Sequence, residues 1–113
     1  MGYDEALAIY ERVVADYPDL KVKGKANRYT SMNGNMFSFL DKNGELKLRF
    51  SEAEKKAYNE TYGTGDVIQH NSVMRGYIGV TPAIMADEET LKKLFASCVA
   101  HAKTLKPKAT KKT

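Results

Sequence analysis

The chain is poor in the residues that build reactive centres. Cys98 is its single cysteine and His70 and His101 are its only histidines, so an intramolecular disulfide is excluded and no His/Cys spacing fits a standard zinc pattern. His101 lies three residues after Cys98 on one predicted helix, an arrangement better read as packing than as a metal or nucleophile site. No apolar run approaches the roughly 18 residues of a membrane span. The start Met1-Gly2-Tyr3-Asp4-Glu5 is acidic, unlike a signal peptide. These features predict a soluble, cytoplasmic protein with no membrane contact. Gly63-Thr64-Gly65 lacks the Gly-Lys-Ser/Thr that completes a phosphate loop. Carboxylates gather at Glu52/Glu54 and Asp87/Glu88/Glu89, both at predicted helix starts, where the helix dipole accounts for them. The expectation is no enzyme: no catalytic residue, no metal and no cofactor.

What is present is one domain's worth of ordinary globular sequence: 113 residues, 42% hydrophobic and 28% charged. The net charge of +4 is local, because Lys103, Lys106, Lys108, Lys111 and Lys112 close the chain without an intervening acid. Leaving those five aside, residues 1 to 102 carry 13 basic against 14 acidic side chains. The chain therefore divides into a near-neutral domain, 1–102, and a Lys-rich tail, 103–113, with too little apolar surface to offset its ordering entropy. Such a tail reads either as a solubilising end or, through Lys106, Lys108, Lys111 and Lys112, as an arm for nucleic-acid phosphates.

Periodicity predicts a helix over 4–17, capped by Asp4, striped by Tyr3, Leu7, Tyr10, Val14 and Tyr17, and stopped by Pro18. Its tyrosine hydroxyls are expected to reach the rim. Asn33-Gly34 and Asn43-Gly44 each separate alternating segments, the strongest short-range hairpin signal. Two-residue loops at both would set Thr30 opposite Phe37, Lys42 opposite Glu45, Phe39 opposite Leu48 and Phe37 opposite Phe50. That register predicts a three-stranded meander with Thr30, Met32, Phe37, Phe39, Leu46, Leu48 and Phe50 on one face and Tyr29, Ser31, Met36, Ser38, Leu40, Lys47 and Arg49 on the other. Ser51-Glu52-Ala53-Glu54 is a capping box opening a helix over 52–62. Strands are expected at 66–69 and 73–80, a short helical turn after Thr81-Pro82, and a last helix carrying Leu91, Leu94, Phe95, Cys98, Val99, Ala102 and Leu105. The fold class is therefore α+β: an antiparallel meander plus one or two further strands, packed against the N- and C-terminal helices.

The sharpest functional candidate is the second sheet face, where Tyr29, Ser31, Ser38, Lys47 and Arg49 would converge on a basic patch able to hold an anion or a nucleic-acid backbone. The alternation Lys21, Lys23, Lys25, followed by Arg28, either extends that patch or protects an exposed edge. A plain solvated sheet face is the competing explanation.

Asn33-Gly34-Asn35-Met36-Phe37, then Leu46-Lys47-Leu48-Arg49-Phe50-Ser51-Glu52, Tyr77, Val80-Thr81-Pro82 and Asp87 with the last helix and its Lys-Pro-Lys end, together resemble the N-terminal domain of the TfoX (TfoX/Sxy-like) competence regulators. A more distant resemblance is to YjbR-like domains, which have been suspected of binding DNA. The likeness runs over residues 4 to 108 and implies an α+β domain linked to transcriptional control, without catalytic residues to carry over. Where the family has Met-Phe-Gly-Gly before the first hairpin, this chain has Ala26-Asn27-Arg28-Tyr29-Thr30-Ser31. The resulting expectation is a small non-enzymatic binding or accessory module, with an unidentified protein as partner. Direct nucleic-acid binding is the alternative and an uncharacterised enzyme the third. A homodimer through a sheet edge or the first helix stays open.

Overall fold

Asn33 and Gly34 both take the left-handed backbone that a two-residue hairpin turn demands, φ 53° and 82°. They join β1 (Arg28–Met32) to β2 (Asn35–Leu40) in the computed structural model, which describes residues 2–25, 28–69 and 71–107. A second turn leads to β3 (Leu46–Arg49), and β6 (Tyr77–Gly79) completes an antiparallel sheet in the order β1-β2-β3-β6. Between β3 and β6 lie α2 (Glu52–Tyr62) and a small hairpin of β4 (Ile68–Gln69) and β5 (Ser72–Val73). The fold is α+β, with α1 (Tyr3–Val14), α3 (Pro82–Ala86) and α4 (Glu88–Thr104) on one sheet face.

The main core lies between those helices and the sheet. Tyr10, Val13, Phe95, Leu91 and Cys98 from the helices meet Phe37, Leu40, Leu46, Leu48 and Ile78 from the strands. The Phe37 and Phe95 rings sit 6.0 Å apart, so α4 docks on the meander as its apolar periodicity requires. Each such side chain taken fully from water contributes about 1.5–3 kcal/mol. Local signals behave as expected at three starts: Ser51 accepts from the Glu54 amide, Thr81 from the Ile84 amide and Asp87 from the Thr90 amide. α1 departs from expectation. It begins at Tyr3 behind Gly2, with no side-chain cap, and Asp4 lies in its first turn. It ends at Val14, ahead of Pro18.

One irregularity in β2 and another in the turn after it correct the expected register. Ser31 pairs with Met36 but Thr30 pairs with Ser38, so Phe37 is an extra residue, a β-bulge. The bulge lets Phe37 and Ser38 both face the helices and turns Phe39 outward and Leu40 inward. The second turn has three residues rather than two. Asp41 and Glu45 flank it, the Gly44 amide donates to the Asp41 carbonyl at 3.0 Å, and Asp41 Oδ1 accepts from the amides of Asn43 and Glu45. Gly44 takes φ 82°, and a Cβ there would come within 3.3 Å of the Tyr3 Cα. In consequence Phe39 faces Lys47, not Leu48, and Ser38 faces Leu48. The expected faces for β1 and β3 hold, while Ser38, Phe39 and Leu40 exchange sides.

Tyr10 shows what the exchange does. Its hydroxyl does not reach the rim but meets Ser38 Oγ at 2.6 Å, and Ser38 Oγ in turn bonds Thr30 Oγ1, all three residues being fully buried. At the other end of the domain α4 runs on through Lys103 to Thr104, beyond the boundary expected at 102. The Asn35 side chain then donates through Nδ2 to the Lys106 carbonyl at 2.9 Å, which brings the chain after α4 back to the first hairpin turn. Lys108, Lys111 and Lys112 lie outside the described residues, as does His70.

Candidate functional site

The outer sheet face, opposite the helices, is built from alternate residues of four strands. One cross-strand row runs Tyr29, Phe39, Lys47, Gly79, as the pairings of β1 with β2, β2 with β3 and β3 with β6 dictate. A single β-bridge extends it: Lys23 pairs with Tyr29 through both backbone bonds, at 2.8 and 2.9 Å. Lys23 therefore joins the face that carries Tyr29. Leu20 and Val22 pack on the main core, so Lys21 and Lys23 alternate away from it.

This face has two halves. Towards β6 it is closed by a second small core of Phe39, Val67 and Tyr77, contributed partly by the segment leading into and out of the β4–β5 hairpin. The Met74 amide donates to the Val67 carbonyl at 2.7 Å and ties that segment together. The Phe39 and Tyr77 rings meet edge to face at 5.5 Å, and the Tyr77 hydroxyl donates to the Met36 carbonyl at 2.8 Å. Burial pushes the Tyr77 phenol up to about 12, with the Arg49 charge pulling the other way. Towards β1 the face is open: Tyr29, Ser31 and Met36 are half-buried and Lys21 and Lys23 exposed.

Of the five residues expected to converge, Tyr29, Ser31, Lys47 and Arg49 share the outer face and Ser38 does not. Tyr29 and Ser31 share the open half. Ser38 is excluded, fully buried beneath the sheet by the bulge at Phe37. Lys47 is on the outer face but only 9% exposed, its ammonium 2.8 Å from Glu45 Oε1 and 3.9 Å from Asp41 Oδ2. Its charge is answered within the fold, so it is not a ready anion contact. Lys47 also walls an open hollow of about 400 Å³ with Asn43, Thr64, Thr81 and Met85, where the nearest charges are those same carboxylates. Arg49 lies at the β6 side, paired with Tyr77 and running beside Gly76. With Lys47 paired and Arg49 beside the closed half, the open half carries Tyr29 with Lys21 and Lys23. The alternation of Lys21, Lys23 and Lys25 carried that signal in the sequence. The closing of the other half by Val67 and Met74 did not, because it depends on a chain reversal within six residues.

Each sheet edge carries one contact from the rest of the fold. Lys23 takes the outward backbone groups of Tyr29 on β1, and the Tyr58 hydroxyl of α2 donates to the Gly79 carbonyl of β6 at 2.6 Å. Cys98 is fully buried, its thiol donating to the Phe37 carbonyl at 3.3 Å, and burial pushes its pKa up. Among the described residues no group of three or more His, Cys, Asp or Glu side chains is placed to hold a metal ion, and no helix is long and apolar enough to cross a membrane.

Compared with models of protein families, with curated proteins and with solved structures, the chain matches none.

Proposed function

We propose that the chain is a small non-enzymatic binding module of the TfoX N-terminal type, acting in the cytoplasm as an accessory in transcription regulation or another assembly, with a protein as its partner. The observation that carries this reading is the pair Ile68 and Val73. They stand directly opposite each other on β4 and β5 and are 64% and 51% exposed. Together with Tyr62 they are the exposed large apolar side chains among the described residues. An exposed apolar pair on a short hairpin is suited to being covered by a second protein. The family reading is supported by where its blocks fall: Asn33-Gly34 is the first hairpin turn, Ser51 and Thr81 cap helices, and Asp87 caps α4.

Affinity capture from a cell extract tests it, comparing the wild-type chain with Ile68→Lys/Val73→Lys. Proteins retained by the wild type and lost by the double variant, with its thermal unfolding unchanged, are the expected result. Equal retention by both, or none by either, contradicts the reading.

Direct nucleic-acid binding is a second reading, favoured by one different observation, the seating of Lys23 against Tyr29 on the open half of the outer face.

A further inference from the structure

Resting on that second reading and deepening it, we propose that the open half of the outer face is a short single-strand nucleic-acid platform, with one base stacked on Tyr29 and the flanking phosphates on Lys21 and Lys23. Three features of the structure carry this. Tyr29 stands on the outer face, half-buried and packed against the small core of Phe39, Val67 and Tyr77, so part of its side chain is held while the rest reaches solvent. The Lys23 backbone is held beside it by two hydrogen bonds, and Lys21 follows the same alternation, so both exposed side chains leave the backbone on the face that carries Tyr29. Among the described residues neither lysine has a carboxylate within ion-pair distance, whereas Lys47, Lys55 and Lys92 each do.

The chemistry selects single strands. A base in a duplex is stacked on both sides and cannot offer its face to Tyr29, whereas an unpaired base can. The Ser31 hydroxyl, two residues along the same strand and on the same face, lies where a sugar or base edge would pass. The platform spans one tyrosine and two lysines, so the site covers two or three nucleotides and shows little sequence preference.

The test is fluorescence anisotropy of the full-length chain with labelled dT20 and with a duplex of equal length, across 25–200 mM salt. Binding to dT20 in preference to the duplex is expected. Tyr29→Leu, which keeps apolar packing on Phe39, loses about tenfold or more in affinity, and Tyr29→Phe keeps it. Lys21→Ala/Lys23→Ala lowers the slope of log K against log salt by about 1.4, at roughly 0.7 for each phosphate contact on a single strand. Lys108→Gln/Lys111→Gln/Lys112→Gln leaves the preference for dT20 intact. The proposal is overturned if dT20 does not bind at 25 mM salt, if the duplex binds as tightly, or if only the three-glutamine variant loses affinity. Loss of binding here together with capture of a protein through Ile68 and Val73 removes the platform and leaves the binding-module reading standing. Failure of both removes both.

Discussion

The hydroxyls of Tyr10 and Ser38 share a 2.6 Å hydrogen bond in the middle of the main core, linking α1 to the bulged strand β2. Thr30 extends the chain to β1. Three buried hydroxyls that satisfy one another fix where the helix sits along the sheet, because any slide would leave an unpaired polar group in an apolar core.

Tyr10→Phe is expected to destabilise the fold by about 1–2 kcal/mol, since it removes one bond and leaves Ser38 with Thr30 alone. Adding Ser38→Ala to that variant costs less than Ser38→Ala does in the wild type. Urea unfolding of the four proteins of this cycle gives the coupling, read as midpoint shifts at constant slope.

Alkaline stability follows from three buried phenols. Burial pushes Tyr58 and Tyr77 up to about 12 and raises Tyr10 as well. The unfolded chain binds those protons with a pKa of about 10. Between the two values the native state holds more protons than the unfolded state, so the contribution of these phenols is fully present below about pH 10 and is lost as pH rises towards 12, while the buried Cys98 thiol acts in the same direction from a lower pH. Unfolding midpoints measured from pH 8.5 to 12 should decline over that interval, and Tyr77→Phe should make the decline shallower.

Cys98 is expected to be inert in the native state. It is fully buried, its thiol is held by the Phe37 carbonyl, and its ionisation is opposed by burial. A thiol reagent such as Ellman's at pH 8 should label the folded chain far more slowly than the chain in guanidinium chloride.

The legible parts of this fold are those decided within a few residues. Asn33-Gly34, the capping box at Ser51 and the α4 stripe all report local geometry; the first two stand where expected, and the stripe, expected to run to Leu105, is buried as far as Ala102. The bulge at Phe37 is different. Its extra residue is stabilised by what packs above it, Phe95 against the ring and Cys98 on the carbonyl, and no spacing within β2 announces that. The three-residue turn did leave a signal. Asp41 three residues before Gly44 is the pattern in which an Asp side chain caps the turn and a glycine closes it, and it overrides the simpler reading of Asn43-Gly44. Together these displaced Ser38 from the candidate site and put Phe39 into the outer face.

Lys47 tests that correction. Lys47→Met removes a cation that is already paired, returns Glu45 to water and leaves Asp41 with its two amide donors. The expected cost is about 1–2 kcal/mol, below the roughly 3–5 kcal/mol of a buried charge left without any partner. Its affinity for dT20 should stay within about twofold of wild type, because the charge it removes is not a phosphate contact. Denaturant unfolding and anisotropy on the same preparation measure both.

The proposed single-strand platform is the open half of the outer face beside Tyr29, not the paired Lys47 or the chain end. The most direct measurement is a titration of the isotope-labelled chain with unlabelled dT10, followed by amide ¹H–¹⁵N correlation spectra. Binding at the platform is expected to concentrate the shifts at Lys21 to Lys23, Tyr29 to Ser31 and Met36. Shifts confined to Glu45–Lys47 or to residues beyond Thr104, or no shifts at all, would contradict it.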